Sequence, residues 1–325
     1  MSDGEPMIVR RGRHEGQAGR RRASGRAAAV LLALTLVLGG CVARRAPAPP
    51  VAGGTLELRF LDVGQGDATL IRHAGKAVLV DAGPTDAVLA RLRALGVDSL
   101  SLAVASHNHS DHIGGMDVVL ANLPVRYYLD NGVPANTRIQ RTVLQLVRDR
   151  GVTYLAPSSR TVELGDARLR VIPPPEKARS GDQNDESVAL LLERGPFRAL
   201  LTGDSERQEL AALLRSAALP DVDVFKAPHH GSRTGLLDGW LERIRPEVVV
   251  ISVGAGNDYG HPHAEALAAY RAAARTVLRT DEEGDVAITV DSAGCYEVRT
   301  TRAGAQPVAR GGPATCGAAP KEHTP

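Results

Sequence analysis

Aromatic residues are scarce: three Phe, one Trp and six Tyr in 325 residues. The core must be built from Leu, Val and Ala. Few rings are left to stack on bases, which argues against a dedicated single-strand nucleic-acid binder. Cysteine is rarer still, with three. The apolar run Ala27–Leu38 (AAAVLLALTLVL) has 12 residues, too short to span a bilayer comfortably. A large excess of charge is also missing, since 39 basic and 37 acidic residues give a formal net charge of +2. The chain lacks the overall charge of a nonspecific DNA coat.

The first 40 residues differ from the rest. Arg10, Arg11, Arg13, Arg20, Arg21, Arg22 and Arg26 form a basic leader ahead of the apolar run, which suits a signal-peptide core. Leu38-Gly39-Gly40-Cys41 resembles a bacterial lipobox, so residues 1–40 are expected to be a lipoprotein-type signal peptide and Cys41 the lipidated residue. The alternatives are a plain secretory signal or a buried N-terminal helix. Arg21-Arg22 is followed by Ala-Ser-Gly, a poor match to a twin-arginine signal. Cleavage before Cys41 leaves 32 basic and 34 acidic residues, a balance of −2. Residues 41–53 read as a Pro/Ala tether. The expected location is the cell envelope, exported and lipid-anchored to a membrane, periplasmic or at the outer membrane. In a two-membrane host, Val42 in place of an aspartate favours the outer membrane. Cys295 and Cys316 either bridge the C-terminal tail to the last strand or stay unpaired. Residues 303–325, rich in Gly, Ala, Pro and Thr, are expected to be disordered.

Residues 54–302 read as one domain, with no internal linker and no convincing repeat. Strand-like segments are Leu56–Leu61, Ala68–Arg72, Ala77–Val80, Leu100–Ala105, Arg168–Ile172, Ser187–Glu193, Phe197–Leu201, Val222–Phe225, Glu247–Ser252, Thr276–Arg279, Val286–Val290 and Tyr296–Thr300. Helical segments are Asp86–Leu95, Thr137–Arg150, Glu206–Ala217, Leu236–Ile244 and Ala264–Ala274. Strands and helices mix through both halves. Two sheets, each covered on one side by helices, would bury these faces.

Three of the ten histidines fall in Ser106–Gly115, SHNHSDHIGG, directly after a buried strand. Imidazole is a good ligand for borderline divalent metals and a carboxylate is a harder one. His107 and His109 can point toward one ion from a tight loop, and Asp111 and His112 toward a second. Gly114-Gly115 permits close backbone approach. Further ligands must come from elsewhere in the chain.

The spacing H-x-H-x-D-H resembles the metallo-β-lactamase superfamily. That resemblance implies an α/β fold, a four-layer αββα sandwich, with two metal ions at one edge. Val80-Asp81-Ala82-Gly83 looks like the family's strand-end motif, in which Asp81 supports the metal loop without touching metal. Five ordered motifs are similar to the hydrolase domain of ComEC competence proteins: FLDVGQGDA (60–68), NDES (184–187), LTGD (201–204), KAPHHGS (226–232) and YGHPH (259–263). The resemblance implies that Asp204 bridges the metals and that His229, favoured over His230, completes the second site. One departure matters. Many members carry another histidine about twenty residues before the bridging aspartate, but here that window reads GDQNDESVALLL. Asn184 or Asp185 stands closest. The first site then has fewer nitrogen ligands, and manganese becomes plausible beside zinc.

His261 and His263 are expected to assist the leaving oxygen or contact phosphate. Asn184, His230 and Ser232 are candidate substrate contacts, and Lys226 reads as a strand-end surface charge. The implied activity is that of a metal-dependent hydrolase, a phosphodiesterase or nuclease acting through a metal-bound hydroxide that Asp111 orients. DNA or another phosphodiester is the expected substrate. The alternatives are hydrolysis of a phosphorylcholine ester, lactone or β-lactam, or a non-catalytic DNA-capturing surface lipoprotein.

Overall fold

The computed structural model describes residues 54–175, 181–216 and 218–316. The leader, the tether with Cys41 and the last nine residues lie outside the described residues. Six strands come first: β1 (Leu56–Phe60), β2 (Thr69–His73), β3 (Lys76–Val80), β4 (Leu100–Val104), β5 (Val125–Leu129) and β6 (Thr153–Leu155). Seven more follow: β7 (Arg160–Leu164), β8 (Ala167–Ile172), β9 (Ala189–Arg194), β10 (Phe197–Leu201), β11 (Val224–Lys226), β12 (Val248–Ile251) and β13 (Thr276–Arg279). The chain closes with β14 (Val286–Val290), β15 (Tyr296–Thr300) and β16 (Ala309–Gly311). One sheet has nine strands in the order β16-β15-β14-β1-β2-β3-β4-β5-β6, and the other seven, β13-β12-β11-β10-β9-β8-β7.

Both faces of each sheet are covered, so the central strands are continuous apolar runs rather than alternating ones. In β9, Leu190 and Leu192 face the core between the sheets, while Ala189 and Leu191 face outward to helices. In β3, Val78 and Val80 face the inter-sheet core and Leu79 the opposite layer. Truncating such a fully buried leucine to alanine costs about 2–5 kcal/mol. Over the first sheet lie α1 (Ala87–Ala94), α2 (Ser110–Ile113), α3 (Met116–Asn122) and α4 (Arg138–Asp149). Over the second lie α5 (Arg207–Ser216), α6 (Trp240–Ile244) and α7 (Ala264–Ala273); α8 (Thr280–Glu283) is a single turn after β13. The result is the expected four-layer αββα sandwich.

Some boundaries moved for identifiable reasons. Thr137 caps α4 by accepting from Gln140 N at 3.2 Å, so it stands outside the helix. The expected helix from Leu236 begins only at Trp240, because Gly239 is left-handed (φ 79°). Helix α3 and strands β5, β6 and β7 were not anticipated; β6 and β7 form edges and carry exposed polar positions. The expectation of disorder from residue 303 fails for the part described. β16 pairs antiparallel with β15, and a Cys295–Cys316 disulfide ties residue 316 to the sheet.

Strands β3, β4, β5 and β6 run parallel, as do β10, β11, β12 and β13. In open α/β sheets, the carboxyl ends of parallel strands are where ligand sites form. Here Asp81, Ser106–His112, Asp204 and Lys226–His230 all follow such ends.

Candidate metal centre

Asp81 leaves β3 with a left-handed backbone (φ 59°), a conformation aspartate tolerates better than most residues. Its Oδ1 accepts from Ser106 N at 2.7 Å, and its Oδ2 from Ser106 Oγ at 2.8 Å. His112 Nδ1 also lies 3.0 Å from Oδ2. That contact places a proton on Nδ1 and directs Nε2 inward; Asp81 also joins Asp67 and His112 in a second cluster of ligand atoms. The loop can sit this close only because of Gly114-Gly115. A Cβ on Gly114 would meet Pro84 O at 2.2 Å, and one on Gly115 would meet Thr85 O at 2.3 Å.

Asp111, His112, Asp204 and His230 converge, with one ligand atom from each lying within 4.8 Å of all the others. His112 Nε2 is 3.2 Å from Asp204 Oδ1; His230 Nε2 is 3.1 Å from Asp111 Oδ2 and 3.3 Å from Asp204 Oδ2. The preference for His229 over His230 is therefore reversed. Both residues are left-handed (φ 48° and 52°), a turn that sends their rings apart. His230 is buried, and its Nδ1 bonds Ser252 O at 3.0 Å. His229 turns its Nδ1 to Glu206 Oε1 at 3.0 Å and Thr234 Oγ1 at 3.1 Å, and its Nε2 stays at the edge of the group, 3.8 Å from Asp204 Oδ2.

His107 and His109 touch each other, Nε2 to Nδ1, at 3.0 Å, and the His107 ring lies 4.0 Å from that of His112. Among the described residues they join no group of three ligands. Asn184 donates to Glu206 Oε1 at 3.3 Å, and Asp185 Oδ1 accepts from Glu209 N at 3.2 Å, so neither replaces the absent histidine. The segment acts as scaffold instead. Gln183 Oε1 accepts from Asn108 N at 3.0 Å, and Ser187 Oγ from Asp204 N at 3.1 Å. Ser232, expected to hold phosphate, is buried and caps the next turn, accepting from Thr234 N at 3.3 Å. His261 lies beside His229 and His230, with ring centroids at 5.5 and 6.3 Å, and His263 is 4.8 Å from His261.

Two residues were missed. Lys226 is not a surface charge: it is 2% exposed, forms an ion pair with Asp67, and its Nζ donates to Gly203 O at 3.1 Å. Asp204 Oδ1 is 3.7 Å away. Asp67 lies 3.3 Å from His230 Nδ1 and 3.8 Å from His112 Nδ1. The available signal was that β11 runs as a central strand, where a lysine has no route to solvent.

Burial pushes the Asp204 carboxyl up, but the imidazoles of His112 and His230 outweigh it and hold it well below the usual carboxylate range. The same contest, won by the His230 hydrogen bond and by His112, takes Asp111 to about 2. Burial opposes charge on His112 and His230, yet Asp204, with Asp81 for one and Asp67 for the other, raises both well above the ordinary histidine value. Deep burial, with His112 beside it, takes His107 well below that value and leaves a neutral ring. Burial and the neighbouring His229 and His230 likewise bring His261 to about 4.

A family profile described as the metallo-beta-lactamase superfamily matches residues 61–255, more than half of the chain. The chain belongs to the metallo-β-lactamase superfamily. Its similarity extends to ComE operon protein 3 of Bacillus subtilis (strain 168), 27% identical over 253 residues that cover 71% of this chain and 32% of that protein. Competence protein ComA of Neisseria gonorrhoeae is 29% identical over 255 residues, 77% of this chain and 34% of the relative. The chain spans about a third of the length of these relatives. Among solved structures, the metallo-β-lactamase fold protein YhfI from Bacillus subtilis aligns at a TM-score of 0.46 and 14% identity, over 68% of this chain and 95% of that one. The competence names agree with the ComEC-type resemblance of the five motifs.

The donor set fits the divalent ions this superfamily implies. Two carboxylates and two imidazoles suit zinc or a somewhat harder ion. His112 Nε2 and Asp204 Oδ1 are buried, face each other and have no hydrogen-bond partner. Such atoms are costly to leave unsatisfied, and a shared cation satisfies both. Protons on His112 and His230 balance the two carboxylates here; a bound ion does the same and releases them. Membership and this centre together support a metal-dependent hydrolase.

Proposed function

We propose that the chain is a phosphodiesterase of the cell envelope, with DNA as its foremost substrate, working with two divalent ions, zinc or manganese. The observation that carries the reading is the convergence of Asp111, His112, Asp204 and His230 in a chain similar to competence proteins. These four residues would hold one ion, and His107 and His109, with Asp204, would hold a second. Bound ions supply Lewis-acid activation of water and charge neutralisation at phosphorus.

The remaining roles fall to side chains. Asp111, ionised far below neutral pH, orients the attacking water and accepts a hydrogen bond from it. His263 Nδ1 accepts from Arg233 N at 3.0 Å, which leaves the ring proton on Nε2, free to donate to the departing oxygen. His261 is a neutral ring at physiological pH and holds substrate rather than delivering a proton. Asn184 donates to Glu206, the carboxylate that faces His229. Lipid attachment at Cys41 and a Pro/Ala tether would hold this domain outside the cytoplasm. Among the described residues, no helix is long and apolar enough to cross a membrane.

The test is turnover of single-stranded DNA, bis-p-nitrophenyl phosphate and nitrocefin by zinc- and manganese-loaded chain. Cleavage of both phosphodiesters and not of nitrocefin is expected. Asp204→Ala should lower kcat/KM by on the order of 10³-fold, about 4 kcal/mol, and lower metal content too. Full activity with normal metal content in that variant refutes the centre.

A further inference from the structure

Among the described residues, the large hydrophobic side chains left exposed are Tyr154, Tyr259 and Val308, and Tyr259 is the most exposed at 66%. It stands next to the candidate centre. Its ring stacks on His261 with centroids 5.7 Å apart and planes inclined by 23°. His261 in turn stacks on His230 at 6.3 Å and 30°. Three rings thus step outward from a candidate metal ligand to solvent.

The outermost ring is held in place. Asn257 Oδ1 accepts from Tyr259 N at 3.2 Å and from His261 N at 3.0 Å, while its Nδ2 donates to Gly254 O at 3.0 Å and to His261 O at 2.7 Å. One side chain therefore fastens both ends of the turn that presents the tyrosine. Burying a ring of this size stabilises a fold, yet the chain leaves Tyr259 in water. Its inner face is taken by His261, and its outer face is open.

We infer that Tyr259 is a stacking platform for an unpaired nucleobase of a single-stranded nucleic acid whose phosphodiester lies in the centre. The inference deepens the phosphodiesterase reading and rests on it for what occupies the centre. Every base has a π-face, so such a platform is indifferent to sequence. Bases in a duplex already stack on their neighbours and do not offer that face. Past His229 lies a cavity of about 380 Å³ lined by Asp185, Glu206, Arg207, Gln208, Arg233 and Thr234, in which two arginines stand beside two carboxylates.

The experiment compares an oligothymidylate with an abasic strand bearing the same number of phosphates, by fluorescence anisotropy and by cleavage, on the full metal-loaded chain. The wild type should bind the base-bearing strand at least about tenfold more tightly, within the range that base–aromatic stacking spans on alanine substitution. That preference should collapse toward unity in Tyr259→Ala and return in Tyr259→Phe and Tyr259→Trp. Equal binding of both strands by the wild type overturns the inference, as does a preference that survives in Tyr259→Ala. A wild type that prefers the base-bearing strand but cleaves neither keeps the platform and overturns the phosphodiesterase reading. Cleavage of both strands with equal binding does the reverse.

Discussion

The two halves of the centre grow from the same loop yet are built differently. In the half made of Asp111, His112, Asp204 and His230, each ligand has a second anchor. His112 bonds Asp81, His230 bonds Ser252 O, Asp204 N bonds Ser187, and Asp111 O accepts from Asp67 N at 3.1 Å. The other half is the pair His107 and His109. Rigidity does not separate them. Asn108, between the two histidines, donates to Asn131 Oδ1 at 2.8 Å and Val133 O at 3.1 Å and is held by Gln183. Among the described residues, what the pair lacks is a third ligand of its own, so Asp204 would have to be shared. The segment that would have carried that ligand supplies Gln183 and Ser187, which hold loops in place and offer no ligand to the pair. A four-ligand group thus stands beside two histidines that are held as firmly but join no group of three among the described residues.

The sharpest way to break this contrast is to attack the support beneath the stronger half. Lys226 and Asp67 form a buried ion pair behind His112 and His230. Lys226→Met strands the Asp67 carboxylate and should lower the unfolding free energy by about 3–5 kcal/mol. Adding Asp67→Asn should recover most of that loss, because no charge is then left alone. Urea unfolding of the single and double variants measures it; a single variant as stable as wild type would show that the pair contributes nothing.

A smaller effect separates the adjacent histidines. His230→Ala removes a donor from the four-ligand group and should weaken the tighter ion by more than about 100-fold, since even supporting residues around metals cost 10–100-fold when lost. His229→Ala removes contacts to Glu206 and Thr234 and a looser one, at 3.8 Å, to Asp204, and should cost less than about tenfold by the same scale. Competition with a chromophoric chelator ranks the two, and equal losses would erase the distinction drawn from the left-handed turn.

These cases show where sequence reading stops. The five motifs, the strand ends and the αββα layering were all visible, because ligand spacing and apolar runs are local properties of the chain. Lys226 was not, because its burial depends on β11 having neighbours on both sides. The sequence favoured His229 over His230, but only two successive left-handed residues decide which ring joins the four-ligand group. The tail was misjudged as far as residue 316 because its Gly/Pro/Thr composition hides a three-residue strand and a bridge to Cys295. Scarce aromatics argue by number against base stacking, and the proposed platform rests on the position of one ring. Position matters, and Tyr259 sits at the mouth of the centre.

The last expectation concerns protons. His112 and His230, facing Asp204 with Asp81 and Asp67 behind them, have values raised well above the ordinary histidine value, so each keeps its second proton to higher pH than a free imidazole does. His107 has a value lowered below 6.5, so at pH 7 its ring is already neutral. An ion entering the four-ligand half must displace charge from His112 and His230; an ion entering beside His107 displaces none from that ring. Titration of metal-free chain in two buffers of different ionisation enthalpy should therefore show about one to two protons released with the tighter ion and fewer with the weaker one. Linkage then sets the sign of the pH dependence: affinity for the tighter ion rises with pH, by about tenfold per unit for each proton released, until the two histidines are neutral. Affinity at the weaker half stays flatter over the same range. Equal proton release by both ions would mean that the two halves differ in ligand number alone and not in the charge state that each presents.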